Sequence, residues 1–134
     1  MARPRRRSKG QSLIEAMIGF MILIPIGLAA FNVVVLVSTS QTNEQWAEIA
    51  ARAAATRRDQ QSAYKAASDS LSDCELNKII EDIQITDTKF DLTTGHVTVF
   101  TAMKVKLPVP IPGFSEVTCN ASSIQPIVSI PAPR

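Results

Sequence analysis

An uncharged apolar run from Ala16 to Val37 constrains this chain more than any other feature. Its 22 residues would form a helix about 33 Å long, and the hydrocarbon core of a bilayer is about 30 Å thick. The apolar core of a secretory signal peptide is only about 7–15 residues long, and a small-residue cleavage site follows it. The sequence therefore predicts a membrane-spanning helix, to which we assign residues 11–37.

The charges around this run predict its orientation. Residues 1–10 in front of it contain no acidic residue and five basic residues: Arg3, Arg5, Arg6, Arg7 and Lys9. Without residues 1–10 the chain has nine basic and twelve acidic side chains, a net charge of −3. Because positive residues stay on the cytoplasmic side, we expect a single-pass protein of the inner membrane with an extracytoplasmic C-terminal domain. A basic cluster also suits nucleic acid, but the adjacent span already explains it, so we expect no nucleic-acid partner.

Three residues that disfavour helix lie within the run, namely Gly19, Pro25 and Gly27. Proline inside a helix removes one hydrogen bond and usually kinks the helix, so we expect α-helix that is kinked or interrupted. Membrane helices tolerate such breaks when neighbouring groups bind the freed backbone atoms. The break is either an ordinary irregularity of a membrane helix or a soft point where the helix repacks after leaving the lipid.

Glu15 stands at the front edge of the run, where an ionised carboxylate near hydrocarbon is costly. One interpretation is that Glu15 lies in the headgroup layer and only ends the run. The other comes from the segment Lys9 to Glu15, which resembles the type IV prepilin processing site. That resemblance implies cleavage by a prepilin peptidase between Gly10 and Gln11, with Glu15 as the fifth mature residue. Glycine also lets a protease approach the backbone closely.

A second resemblance extends over residues 5–56. The segment Gln11 to Glu15, with Pro25 ten residues later and an alanine-rich stretch from Ala47 to Ala55, is similar to the TadE-like family of tight adherence (type IVc) pilus systems. The resemblance implies a minor pilin or pseudopilin that supports pilus biogenesis and surface adhesion. It also implies other pilin subunits, the prepilin peptidase and an inner-membrane assembly platform as partners, besides the lipid bilayer. Assembly would use Glu15, Gly19 and Pro25.

Residues 38–71 are predicted to continue the helix outside the membrane, because they contain no glycine or proline. An apolar, mostly alanine stripe recurs there at three- and four-residue spacing: Trp46, Ile49, Ala50, Ala53 and Ala54. This stripe could pack against the chain's own small domain or against another subunit.

Residues 72–134 are predicted to form a small extracytoplasmic helix-plus-antiparallel-sheet domain, which makes the chain α+β. Residues 72–83 have the capped start and apolar spacing of a short helix. A hairpin through residues 91–95 joins residues 83–90 to a strand that buries one face: Val97, Val99, Thr101, Met103, Val105 and Leu107. The prolines of residues 108–113 predict a loop, and a further strand runs from Val117 to about Val128. We expect the tail, residues 130–134, to be frayed.

The chain has two cysteines, Cys74 and Cys119, and both fall outside the membrane in this topology. An even number of cysteines in an oxidising compartment predicts a disulfide. The alternative is that both are small buried apolar residues.

No pattern of catalytic residues is present, so we expect no enzyme, no cofactor and no metal site. His96, the single histidine, lies where a turn meets a strand and is expected at the surface. A second hypothesis for the function is an uncleaved signal-anchored envelope protein with an extracytoplasmic binding domain. It explains the topology equally well but does not explain the spacing of Gly10 and Glu15.

Overall fold

A computed structural model describes residues 9–111 and 113–129 of the 134-residue chain. Two helices precede one antiparallel sheet of strand order β1–β2–β3. The elements are α1 (Lys9–Ala55), α2 (Gln60–Ser72), β1 (Ile80–Asp91), β2 (His96–Ile111) and β3 (Phe114–Pro126). The predicted α+β class, with a long N-terminal helix and a small helix-plus-sheet domain, is confirmed. The leader arginines at positions 3, 5, 6 and 7 and the tail, residues 130–134, lie outside the described residues.

Helix α1 contains 47 residues and continues through Pro25 without a break in the helix. The helical segment that was predicted to extend to residue 71 is interrupted instead at residues 56–59. Asp59 begins α2 as its N-cap, and its side chain accepts a hydrogen bond of 2.9 Å from the Ser62 N–H. This bond holds the pKa of Asp59 below its ordinary value. An N-cap residue has extended backbone angles, which start a new helix and end the continuity with α1.

Alanines form the contact between the two helices. The fully buried residues at this contact are Ala50, Ala51 and Ala54 from α1 and Ala63 and Ala67 from α2. Small side chains let the helices approach closely, so the alanine-rich stretch packs into the chain's own core. The buried stripe differs by part of a turn from the predicted one, since Ile49 is exposed and Ala47 is buried.

The sheet packs one face against these helices. The predicted inward face of β2, from Val97 to Leu107, is buried at every second position, and the hairpin between β1 and β2 forms as expected. The short helix predicted at residues 72–83 is wrong: α2 ends at Ser72, and β1 starts at Ile80. Ile83 pairs with Met103 and Ile85 with Thr101. The isoleucines of this segment suit a strand as well as a helix, so pairing with β2 decides that it forms a strand.

Strand β2 also includes most of the proline-rich segment that was predicted as a loop. The Lys106 N–H donates to the Ile79 carbonyl, 2.7 Å away, on the β1 side of the strand. Backbone N–H groups alternate sides along a strand, so Pro108 and Pro110 face the same side as Lys106. Pairing with β1 begins at Ile80, opposite Val105. The prolines therefore lie beyond the end of that ladder and cost it no hydrogen bond.

Candidate functional site

The N-terminal part of α1 is a bare apolar helix. Every residue from Gly10 to Phe31 is exposed, and the segment from Gln11 to Phe31 is about 32 Å long. Across residues 9–111 and 113–129, one helix is long and apolar enough to cross a membrane, and it is this one. Its exposed large side chains include Ile14, Met17, Phe20, Met21 and Leu23. A continuous apolar surface of this kind needs lipid or other helices around it. We call residues 10–31 the bare segment.

The continuous exposure of the bare segment ends at Asn32, five residues before the end of the predicted apolar run, although Val33, Val34 and Val37 beyond it are exposed again. Asn32 is only 3% exposed. Its Nδ2 donates to the Val109 carbonyl at 2.9 Å, and its Oδ1 accepts from the Val109 N–H at 3.2 Å. The side-chain amide thus binds the backbone of β2 as a neighbouring strand would. The strongest polar group of the apolar run is therefore satisfied by the C-terminal domain.

Asn43 forms a second polar contact between α1 and the sheet. It is fully buried, with 0% exposed surface. Its Nδ2 donates to the Cys119 carbonyl on β3, and its Oδ1 accepts from the Thr101 hydroxyl on β2, both at 2.9 Å. Eleven residues separate the two asparagines, which is close to three helical turns and puts both on one face of α1. Together the two asparagines fix the position of the sheet along the axis of α1.

The face of α1 that carries Asn32 and Asn43 was not predicted from the sequence. Asn32 was noticeable as the single strongly polar residue in the apolar run, and Asn43 follows it at a three-turn spacing. A three-turn spacing indicates that the two residues lie on one face of a helix. The partners of the two asparagines lie 58 to 77 residues away in the sequence, which local patterns do not reach.

The predicted processing residues lie at the start of α1. Gly10 and Gln11 are in its first turn, and Glu15 is exposed one turn later. Among the described residues, the recorded ion pairs join Glu48 to Arg52 and Glu81 to Lys106, and neither pair involves Glu15.

The two predicted assembly residues farther along the helix, Gly19 and Pro25, are exposed as well. These five residues share one helical segment and do not converge on a pocket. Their arrangement suits recognition by other molecules along the helix rather than catalysis within the chain.

The predicted disulfide is not formed, because Cys74 and Cys119 are both free thiols. Cys74 lines a groove with Ile83 on β1, whereas Cys119 lies on β3 opposite Met103 of β2. Cys74 packs against one apolar cluster of the domain and Cys119 against the other. Burial raises the pKa of both thiols, and the Asp73 carboxylate adds to the effect at Cys74.

We therefore predict two reactive thiols per chain when the protein is denatured without reductant and treated with a maleimide. Thiolates are the reactive form, and the raised pKa values slow modification of the folded chain. Counting the bound maleimides by mass spectrometry measures this. A count of zero before reduction, rising to two after it, would contradict the structure.

The described residues contain no group of three or more His, Cys, Asp or Glu side chains that could share a metal ion. His96 is exposed at the start of β2, where the sequence placed it. An open groove lies between α1 and β3, with Glu44 and Glu48 on one side and the polar face around Asn120 on the other. Ser122 and Ser123 also line the groove, and among the described residues no side-chain hydrogen bond joins either serine to Glu44 or Glu48.

Comparisons with protein family models, with curated proteins and with solved structures found no match.

Proposed function

We propose that this chain is a minor pilin or pseudopilin of a tight-adherence type IV pilus, processed after Gly10 and assembled through its N-terminal helix. One observation carries the proposal: the bare segment begins with the Gly10–Glu15 pattern and ends at Asn32, where the folded domain docks. The length between these limits matches the hydrocarbon core of a bilayer. The bare segment would serve first as a membrane anchor and later as the helix buried among other subunits.

Processing after Gly10 requires the peptidase to open the start of a helix. The bond between Gly10 and Gln11 lies in the first turn of α1, which begins at Lys9. The first four N–H groups of a helix have no partner within it, so this turn opens more easily than the interior. Glycine further lowers the cost of leaving the helical conformation. The cut would remove the basic leader and expose an α-amino group on Gln11.

Assembly would then bury the bare segment against neighbouring helices. Lipid provides little driving force for helix association, so close packing and polar pairing must supply it. A Cβ added at Gly19 would meet nothing within 4 Å among the described residues, which leaves room for a neighbouring helix to approach. The Glu15 carboxylate would pair with the new α-amino group of an adjacent subunit. The support for adhesion comes from the resemblance to TadE-like proteins.

The mature N-terminus tests this function. Mass spectrometry of the protein from cells with an active prepilin peptidase should give a chain that starts at Gln11. The variant Gly10→Val should keep its leader, because a branched side chain blocks close approach of the protease. Gly27→Val is the matched control and should be cleaved normally. Both glycines are exposed, and neither has a described neighbour within 4 Å of an added Cβ, so neither change disturbs packing.

An intact leader on the wild-type chain in such cells would contradict the proposal. It would favour the alternative of a signal-anchored envelope protein that keeps its basic leader and uses the extracytoplasmic domain for binding.

A further inference from the structure

The β2–β3 hairpin ends in an uncharged tip, which we define as the described residues 107–111 and 113–115. This stretch contains apolar residues, two prolines, one glycine and one serine. Ile111 and Phe114 pair across the hairpin, yet Phe114 is 67% exposed and Ile111 is 43% exposed. Adjoining exposed apolar side chains form a surface typical of contact with another molecule or a membrane.

The tip lies beside the bare segment of α1. The Thr101–Asn43 contact and the Val109–Asn32 contact are eight residues apart along β2 and eleven residues apart along α1. Residue numbers rise along β2 from the first contact to the second and fall along α1. The two elements therefore run in opposite directions. With eleven residues of α1 for every eight of β2, Ile111 lies level with roughly residue 29 of α1, which is inside the bare segment.

We propose that this tip inserts into the outer headgroup and upper acyl region of the bilayer that α1 crosses, as a second membrane contact. The inference rests on the membrane span that is part of the proposed function. Apolar and aromatic side chains are favoured at this depth, about 5–10 Å into the boundary between headgroups and acyl chains. With the bare segment across the hydrocarbon, the level of residue 29 is that boundary.

The charges of the hairpin mark the same boundary. Lys106 and Glu116 are opposite each other at the base of the tip, and the sequence between them carries no charge. A charged side chain deep in lipid is costly, whereas the long lysine side chain extends its ammonium group to water. The tip is thus apolar up to the pair that would stand at the membrane surface.

The prolines fit a lipid environment for a further reason. Backbone N–H groups that are unpaired in lipid each cost several kcal/mol. Pro108 and Pro110 occupy positions whose N–H would face the open side of β2, beyond the start of β1 at Ile80. Having no N–H, they leave no unpaired donor there. The Val109 N–H and C=O face the other way and are bound by Asn32.

The opposite end of the sheet differs in character. The β1–β2 turn exposes one large apolar side chain, Leu92 at 59%. Around it the Asp91 carboxylate accepts hydrogen bonds from Thr93 and Thr94, which hold the pKa of Asp91 at about 2. This turn lies near the C-terminal end of α1, since the Val128 N–H donates to the Ala55 carbonyl and the Ile127 N–H to the Gly95 carbonyl. It is far from the bare segment.

Tryptophan fluorescence of the full chain in phosphatidylcholine–phosphatidylglycerol vesicles tests the proposal. In a Trp46→Phe background, three variants carry one tryptophan each: Phe114→Trp in the tip, Leu92→Trp in the distal turn and Phe20→Trp near the middle of the bare segment. We expect brominated lipids to reduce the emission of Phe114→Trp and Phe20→Trp by about twofold or more. Shallow bromines should quench Phe114→Trp best and deep bromines Phe20→Trp. Leu92→Trp should emit as in water and stay unquenched.

Three results would overturn the proposal. If Phe114→Trp behaves like Leu92→Trp while Phe20→Trp is quenched, the tip stays in water and the span still stands. If Phe114→Trp emits at short wavelength but bromines do not quench it, another protein chain covers the tip. If Phe20→Trp is unquenched, the span itself fails, and the tip insertion fails with it.

Discussion

Replacing Asn43 with leucine should lower the free energy of unfolding by about 2–5 kcal/mol. Leucine has a similar size, so the change removes the amide while largely keeping the packing. The Cys119 carbonyl and the Thr101 hydroxyl both lose their Asn43 partner. A buried polar group left without a partner costs about 1–3 kcal/mol, and this substitution creates two. The small core makes the loss conspicuous, because most of its buried residues are alanine and valine.

Chemical unfolding of the full chain in detergent micelles measures this effect. Trp46 is the single tryptophan and packs against both apolar clusters of the domain, so its fluorescence reports on their loss. Asn120→Leu is the matched control: Asn120 is exposed on β3 beside Cys119, and its replacement should change the free energy by less than about 0.5 kcal/mol.

A double substitution separates the two lost contacts. Adding Thr101→Val removes the unsatisfied hydroxyl, so the double variant Asn43→Leu/Thr101→Val should cost about 1–3 kcal/mol less than the sum of the two single changes. A cost for Asn43→Leu alone that is no larger than the Asn120→Leu cost would mean that the asparagine does not hold the sheet on α1.

Local patterns account for the parts of the fold that were predicted correctly. The apolar run identifies a helix able to cross a membrane by its length and composition alone. The alternation from Val97 to Leu107 identifies both β2 and its buried face, since side chains along a strand alternate between its two sides. Neither conclusion depends on which other segments lie nearby, so both could be reached from the sequence.

The errors arise where a distant partner decides the structure. Isoleucines at positions 80 and 83 fit helical and strand spacing alike, and pairing with Val105 and Met103 selects the strand. Pro108 and Pro110 are tolerated in β2 because β1 starts at Ile80, opposite Val105, and does not extend alongside them. The extent of the bare segment is set by Asn32 binding Val109, a contact across 77 residues. For the candidate site, residues 10–15 were identifiable from the sequence, whereas the point at which the domain covers α1 was not.

The second large effect concerns assembly and follows from the proposed function. Replacing Glu15 with glutamine should leave membrane insertion and cleavage after Gly10 unchanged but reduce the assembled fraction by at least about tenfold. The bare segment has no other acidic residue and no basic one. A carboxylate and an ammonium group 4 Å apart attract by about 4 kcal/mol at an effective dielectric constant of 20. Losing even a third of that energy changes an assembly equilibrium about tenfold.

Glutamine keeps the shape and hydrogen-bonding capacity of Glu15 and removes only the charge, so this variant isolates the ion pair. The comparison of sheared surface filaments with membrane-bound subunits, by immunoblot, gives the assembled fraction, and mass spectrometry of the same samples verifies the cleaved N-terminus. Glu44→Gln is the control, since Glu44 is exposed on α1 outside the bare segment and its replacement should leave assembly unchanged. Normal filament yield from cleaved Glu15→Gln would contradict a charge-pairing role. A filament yield that is normal with Glu15→Gln but lost with Glu15→Ala would mean that position 15 forms a hydrogen bond rather than an ion pair. Only a polar side chain would then be required there.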